Sequence, residues 1–125
     1  MPNPSFENYT TCPYSFWQIQ FASPWFSADV NGGTTYYNEC STNNYASVPN
    51  NFEGYQYPHT GKAYGDISLY DYAINAKNAG REYIETKLTN PLIAGKRYCV
   101  SFYISLTNNS EFASDAVGAY FSIDN

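Results

Sequence analysis

Apolar and polar side chains alternate most regularly over residues 98–106. Tyr98, Val100, Phe102, Ile104 and Leu106 form one set, and Cys99, Ser101, Tyr103 and Ser105 fall between them. Successive side chains of a β-strand point to opposite faces, so this pattern predicts a strand with one face in the core. The other face is polar but carries Tyr103, and it is either plain surface or a binding surface.

The same alternation predicts three more strands, over residues 63–72, 81–88 and 117–123, and turn-forming residues precede each of them. Residues 16–21 also predict a strand, and residues 3–9 predict a short strand or an extended arm. Helix signals are nearly absent, because the best candidate stretch is short and rich in Asn. Regularly spaced short strands without helices predict an all-β domain, an antiparallel sandwich or barrel.

The length of 125 residues indicates a single domain that can bury a core of its own. Residues 29–51 are dense in Asn, Gly, Ser and Thr. A loop of this length inside a compact domain is typically functional or pinned to the rest of the fold. Cys40 lies within it and would supply such a pin.

Three cysteines, Cys12, Cys40 and Cys99, allow three single pairings. Cys12 and Cys40 lie in loop-like surroundings, and we predict that they form a disulfide. Closing that loop of roughly 28 residues would stabilise the fold by on the order of 3–4 kcal/mol. The alternative is three free thiols, and a metal site lacks the usual Cys and His spacing. Cys99 is left as a small apolar filler or an intermolecular link.

The composition narrows the classes of partner. Charged residues are 14% of the chain and aromatic residues 19%, with fourteen tyrosines. This composition is typical of a secreted or cell-surface β-protein whose surface is solvated by amides and hydroxyls. The net charge is −5 and the six basic residues are scattered, which argues against nucleic acid and anionic membranes as partners. No apolar run approaches the ~20 residues that cross a bilayer.

The polar faces of the predicted strands combine tyrosines with hydrogen-bonding groups. We predict a carbohydrate-binding surface made by Asp66, Tyr70, Tyr72, Arg81, Tyr83, Glu85 and Tyr103. The four tyrosines would stack on the apolar face of a sugar, and the three charged groups would bond its hydroxyls. The alternative is that tyrosine, which has a high β-propensity and pairs well across strands, simply stabilises the sheet.

Three motifs resemble carbohydrate-binding modules of the family 4/9 type. Asn3-Pro4-Ser5-Phe6-Glu7 is similar to their Asn-Gly-x-Phe-Glu opening, and His59-Thr60-Gly61-Lys62-Ala63 to their His-Ser-Gly-Lys-x turn. Residues 92–103 resemble their Leu-x-x-Gly-Lys-x-Tyr-x-Val-Ser-Phe strand. A closer resemblance is to N-terminal modules of secreted Bacteroidota proteins associated with gliding motility or type IX secretion. It rests on residues 2–7, 24–26, 37–40, 54–58, 81–84 and 118–122.

The resemblance implies a galactose-binding-domain-like jelly roll that is exported to the cell surface or the medium. It also implies a structural calcium ion held by Glu7, by the backbone of Gly61 or Lys62, and by Asp124. Calcium takes six to eight oxygen ligands, so one Glu alone would not suffice. The alternative is that Glu7 makes an ordinary surface contact.

Modules of this kind continue for several tens of residues after a strand like 118–122. We therefore expect that the chain is a fragment of a longer module, that another chain supplies the closing strand, or that the domain sits in an assembly. An open edge at 117–123 would otherwise invite strand addition, including a homo-oligomer.

Signals for catalysis are weak. The only histidine, His59, lies in a predicted turn, and no nucleophile elbow, phosphate loop or zinc spacing occurs. Asp66 and Glu85 are the one carboxylate pair that a glycosidase would use, and nothing fixes their separation. The sequence thus predicts a non-enzymatic, calcium-stabilised glycan-binding or adhesion module. The alternative is a structural subunit of an extracellular filament, sheath or adhesin, joined through neighbouring subunits' tyrosines and strand edges.

Overall fold

A short ladder between two strands forms the centre of the fold. The computed structural model describes residues 1–28, 33–69 and 81–123. Its strands are β1 (Phe26–Ser27), β2 (Tyr36–Asn38), β3 (Asn50–Asn51), β4 (Gly54–Tyr55), β5 (Ala63–Gly65) and β6 (Ile84–Glu85). They pair antiparallel as β1–β6, β2–β5 and β3–β4. The only helical element in these ranges is a 3₁₀ turn at Ile19–Phe21. The all-β class is confirmed at this level, and the sandwich or jelly roll stays a prediction.

The β2–β5 ladder has two different faces. Tyr36 lies opposite Gly65, and Tyr37 lies opposite Tyr64. On the first face the Ile19 side chain approaches Gly65 so closely that a Cβ there would lie 3.1 Å from its Cδ1, which explains the small residue. On the second face the rings of Tyr37 and Tyr64 stack at 4.9 Å. Both faces of the ladder are therefore covered.

The core is built on the first face. Its buried members are Ile19, Ala22, Trp25, Tyr36 and Ala63, with Phe6, Phe21 and Ile84 packed around them. The Phe6 and Trp25 rings lie 5.0 Å apart. Each large apolar side chain buried here contributes about 1.5–3 kcal/mol. Ile84 comes from β6, so the β1–β6 ladder closes the core on one side.

The Asn3 side chain joins the N-terminal segment to this core. Its Nδ2 donates to the carbonyls of Asn8 (2.8 Å), Ala22 (3.1 Å) and Ser23 (3.0 Å), and its Oδ1 accepts from the N–H of Asn8 at 3.0 Å. The Asn3 carbonyl accepts from the indole N–H of Trp25 at 2.7 Å. Asn3 has a φ of +42°, a conformation that Asn tolerates better than most residues. One buried amide thus fixes three chain segments.

The predicted disulfide between Cys12 and Cys40 is confirmed, with a Cα–Cα distance of 5.9 Å. It pins the segment that holds β2 and β3 to the N-terminal segment, as we expected of Cys40. Beside it, the Asn43 amide donates to the Tyr14 carbonyl at 2.7 Å. Cys99 is a free, exposed thiol.

Neither segment near the N-terminus forms a strand. Residues 3–6 form a turn and residues 7–9 join no ladder, because the Asn3 side chain takes the place of a ladder partner for Asn8, so of the two alternatives for 3–9 the strand is not formed. Residues 16–21 end in the 3₁₀ turn. There the Gln18 Oε1 accepts from the N–H groups of Tyr14 (2.8 Å) and Ser15 (3.0 Å), which bends the chain. The apolar side chains of this segment therefore reach the core from a turn and not from a strand.

The later strands are shorter than predicted or not formed. Within the described part of 63–72 the strand is limited to Ala63–Gly65, and within 81–88 it is limited to Ile84–Glu85. Residues 98–106 and 117–123 join no ladder with other described residues, and the apolar set of 98–106 is exposed. The physical reason is that a strand needs a neighbour for its backbone groups, and alternation alone does not supply one. Across the described ranges, no helix has the length and apolar character to cross a membrane.

Replacing Asn3 by Gly removes the amide while keeping a residue that accepts a positive φ. Because three carbonyls lose their donor, one of them in a buried hydrogen bond, we expect the free energy of unfolding to fall by about 2–4 kcal/mol, measured by urea denaturation. Asn44→Gly, at an exposed Asn, is the control and should change it by less than about 1 kcal/mol. Equal losses in both variants would show that the Asn3 network is unimportant.

Candidate functional site

Two segments far apart in sequence meet to form an exposed aromatic surface. The N–H of Tyr55 donates to Asn108 Oδ1 at 2.6 Å, and the Asn109 amide donates to the Phe52 carbonyl at 3.0 Å. The Ser105 hydroxyl donates to Gln56 Oε1 at 2.8 Å. These bonds bring together four rings that we call the aromatic platform: Tyr55, Tyr57, His59 and Tyr103.

The β3–β4 hairpin positions the first part of the platform. Its two-residue turn is closed by Asn51, whose Oδ1 accepts from the N–H of Glu53 at 3.0 Å. The Asn51 amide also donates to the hydroxyl of Tyr64 at 2.6 Å, which ties the hairpin to the central ladder. Gly54 has a φ of +128°, and a Cβ there would collide with the Asn108 side chain. The hairpin and residues 103–109 can therefore meet only at a glycine.

The rings of the platform form two pairs. Tyr55 and Tyr57 meet at 88° with ring centres 5.5 Å apart, and their hydroxyls lie 3.1 Å from each other. This hydrogen bond raises the pKa of Tyr55 above its ordinary value. His59 stacks on Tyr103 at 3.4 Å and 11°, and Tyr103 is still 76% exposed.

The platform offers a defined chemistry to a ligand. Exposed ring faces are flanked by the amide of Gln56 and the hydroxyl of Ser105, and neither Asp, Glu, Lys nor Arg belongs to this set. The apolar face of a sugar stacks on such rings, while its hydroxyls bond to short polar groups. The arrangement therefore suits a neutral, hydroxyl-rich ligand.

Asp66 does not join this surface, contrary to our prediction. Its carboxylate accepts from the N–H of Thr35 at 2.8 Å and from the hydroxyl of Tyr37 at 3.0 Å, and the side chain is largely enclosed. Burial raises the pKa of Asp66 to about 6. The physical reason is that Thr35 and Tyr37 on the neighbouring segment donate to the two oxygens of the carboxylate and hold it there. Asp66 is thus a structural acceptor beneath the Tyr37–Tyr64 stack.

The other predicted sugar-binding residues that the structure describes fall into two groups. Arg81, Tyr83 and Glu85 lie exposed at alternate positions, with Ile84 turned to the core. Tyr103 instead contacts His59, as the described rings show. Tyr70 and Tyr72 lie outside the described residues. The single tyrosine face that we predicted therefore stays a prediction.

The predicted calcium ligands Glu7, Gly61 and Lys62 do lie together. The Glu7 carboxylate accepts from the backbone N–H of Lys62 at 2.9 Å, and a Cβ on Gly61 would collide with it. The Lys62 ammonium pairs with Glu39 at 2.8 Å, which is the main reason that its pKa is raised. Calcium needs several oxygen ligands, whereas Glu7 here faces hydrogen-bond donors.

No group of three or more His, Cys, Asp or Glu suited to a metal ion occurs in ranges 1–28, 33–69 and 81–123. In this arrangement Glu7 binds a backbone N–H. Asp124, the remaining predicted ligand, lies outside the described residues, so the calcium ion stays a prediction.

Sequence reasoning missed most of the platform. Tyr55 and Tyr57 stand at alternate positions between Gly54 and Pro58, and this short Tyr-x-Tyr pattern was the available signal. The partner side, however, is set by Asn108 and Asn109, which lie about fifty residues later and have no pattern of their own. Only Tyr103 was anticipated.

Comparisons with known proteins add no relative: no protein-family model matches the chain, and neither a curated protein nor a solved structure is significantly similar to it. The resemblance to carbohydrate-binding modules therefore stays a prediction that rests on the motifs. The aromatic platform is the feature of the molecule that bears on its class.

Asp66 makes stability depend on pH with a definite sign. Its folded-state pKa, about 6, lies above the ordinary value of 3.8, so the folded protein holds the proton more tightly. Its contribution is complete below that lower pKa and is lost as the pH rises through about 6. The loss amounts to about 2–3 kcal/mol.

Asp66→Asn keeps an acceptor for Thr35 but cannot ionise. In urea denaturation at pH values from 4 to 7, we expect the variant to lack the part of the decline that Asp66 causes. Asp115→Asn, at an exposed carboxyl, is the control and should follow the parent protein. Identical pH profiles for Asp66→Asn and the parent would overturn the assignment.

Proposed function

We propose that this protein is a non-catalytic carbohydrate-binding or adhesion module of a secreted or cell-surface protein. The single observation that carries the proposal is the exposed aromatic platform, in which Tyr57 and Tyr103 present ring surface to solvent beside amide and hydroxyl groups. Exposed aromatic clusters are costly in water and commonly mark binding surfaces.

The preorganisation of the platform supports ligand binding. The hairpin turn, the Asn108 contact and the Gln56–Ser105 bond hold the rings before a ligand arrives. Binding then costs little side-chain entropy, because the rings are already ordered. The Cys12–Cys40 disulfide is compatible with an oxidising, extracellular location.

Catalysis is not part of the proposal. The Asp66 carboxyl, considered with Glu85 for glycoside hydrolysis, is engaged by Thr35 and Tyr37 and supports the ladder instead. The aromatic platform contains no pair of facing carboxylates, which a glycosidase needs.

Removal of one platform ring should weaken sugar binding. We expect Tyr57→Ala and Tyr103→Ala each to lower the affinity for a neutral polysaccharide by about tenfold, equivalent to about 1.4 kcal/mol. Affinity gel electrophoresis in gels cast with xyloglucan, galactomannan or mixed-linkage β-glucan measures this. Tyr9→Ala, at an exposed tyrosine outside the platform, should bind like the parent. No retention of the parent by any polysaccharide would sink the proposal.

A second candidate function is favoured by residues 98–106. Here Val100, Phe102, Ile104 and Leu106 are all exposed, and Ile104 shows 69% of its surface. A row of exposed apolar side chains on an extended, unladdered segment is what strand addition between subunits requires. The protein would then be a structural subunit of an extracellular filament, sheath or adhesin.

Hydrodynamic size tests this candidate. By size-exclusion chromatography with light scattering, we expect the parent to elute as an oligomer, and Ile104→Glu to shift it to a monomer because a charge would be buried at the contact. Ser101→Glu places the same charge on the alternate face and is the matched control. A monomeric parent at high concentration would reject the structural role and leave the glycan proposal intact.

A further inference from the structure

Trp17 is an exposed aromatic residue in a strained backbone conformation. Its φ is +61°, in the left-handed region, and 64% of its surface is exposed. The other tryptophan, Trp25, is buried at 8% exposure and bonded to Asn3. For a bulky residue, a positive φ costs on the order of 1–2 kcal/mol. An exposed ring recovers little of this cost by burial, which points to a role outside packing.

Neighbouring residues hold Trp17 in this conformation. Its N–H donates to Thr35 Oγ1 at 3.3 Å, and two residues later the N–H of Ile19 donates to the Thr34 carbonyl at 3.1 Å. Gly33 lies directly beneath it, and a Cβ there would collide with the Trp17 Cβ. A glycine thus makes room for the side chain, while the flanking hydrogen bonds hold the backbone.

The chain on either side of Trp17 and the segment that packs on Phe16 carry no charged residue. Residues 8–28 contain no Asp, Glu, Lys, Arg or His, and neither do residues 41–52. Phe16, its immediate neighbour, places its ring 5.0 Å from Tyr45 and 5.1 Å from Phe52. Phe52 belongs to the turn of the hairpin that carries Tyr55. The residue that precedes Trp17 therefore packs against the hairpin that carries part of the aromatic platform.

We infer that Trp17 is a second stacking site for a neutral sugar unit, which makes attachment to a polymeric glycan bivalent. The inference rests on the proposed function, since it adds a subsite to the same surface. Indole is the largest aromatic group available to stack on a pyranose, and an uncharged setting favours a neutral ligand over an anionic one. Because the Phe16–Phe52 contact joins the segment of Trp17 to the hairpin of the platform, engagement of one site by a polymeric glycan raises the effective concentration at the other.

The key variant is Trp17→Asn. Asn accepts a positive φ, so the variant removes the ring without adding strain, and we expect its Tm to rise or to stay within about 1–2 °C of the parent. Retention on a neutral polysaccharide should weaken by at least about tenfold through loss of avidity. Trp17→Tyr keeps a stacking ring and should retain most of the binding. A Tm several degrees lower in Trp17→Asn would mean that the ring is structural and would overturn the inference.

Fluorescence reports on the site directly. In a Tyr103→Ala background, a trisaccharide of the retained polysaccharide should protect Trp17 from iodide quenching, and the buried Trp25 serves as the internal reference. Absence of protection would reject a sugar site at Trp17. Gels cast with polygalacturonate should not retain the protein, and retention by that polyanion alone would overturn the neutral ligand class.

The two proposals fail in different ways. If Tyr57→Ala and Tyr103→Ala lose binding while Trp17→Asn binds like the parent, the platform function stands and the second site is rejected. If no polysaccharide retains the parent protein, both are rejected.

Discussion

The amide of Asn3 is the constraint on which the rest of the structure depends. The amide bonds the carbonyls of Ala22 and Ser23 and both backbone groups of Asn8. The backbone carbonyl of Asn3 accepts from the indole N–H of Trp25. Among the described residues, the core has few fully buried apolar side chains. Hydrogen bonds that fix the positions of these side chains therefore contribute to stability as well as the buried area. Just downstream, the Phe6 carbonyl accepts from the Tyr36 hydroxyl at 2.8 Å, which connects the same segment to the central ladder.

Tyrosine plays two distinct parts in this molecule. Tyr36, Tyr37 and Tyr64 are internal, and each hydroxyl has a partner; burial raises the pKa of Tyr36 to about 12. Tyr57 and Tyr103 instead face solvent. The internal rings support the alternative that we drew from the sequence, in which tyrosine stabilises a sheet. The exposed rings are the ones proposed to bind a ligand. A count of tyrosines could not separate these parts, because burial depends on which segments become neighbours.

The sequence predicted what depends on local chemistry. The all-β class, the scarcity of helices and the Cys12–Cys40 pair follow from propensity and spacing, and the described ranges 1–28, 33–69 and 81–123 agree with them. The sequence-based prediction was wrong where side chains compete with backbone ladders. Gln18 turns an apolar stretch into a 3₁₀ bend, and Asn3 replaces a strand partner. For 98–106, alternation predicted two faces but not a neighbouring strand. The candidate site was anticipated only at Tyr103, since the platform depends on contacts made by Asn108 and Asn109 across the chain.

The Cys12–Cys40 bond encloses most of what organises the fold: the bend at Gln18, the Trp17 side chain, Trp25 and β2 all lie between its two sulfurs. This part of the chain is therefore a covalent ring. A protease that cuts once between residues 13 and 39 opens the ring but releases no fragment, so Asn3 and its amide remain attached to the rest of the molecule. Such a ring confers tolerance to a cut that would otherwise free the segment holding the core together.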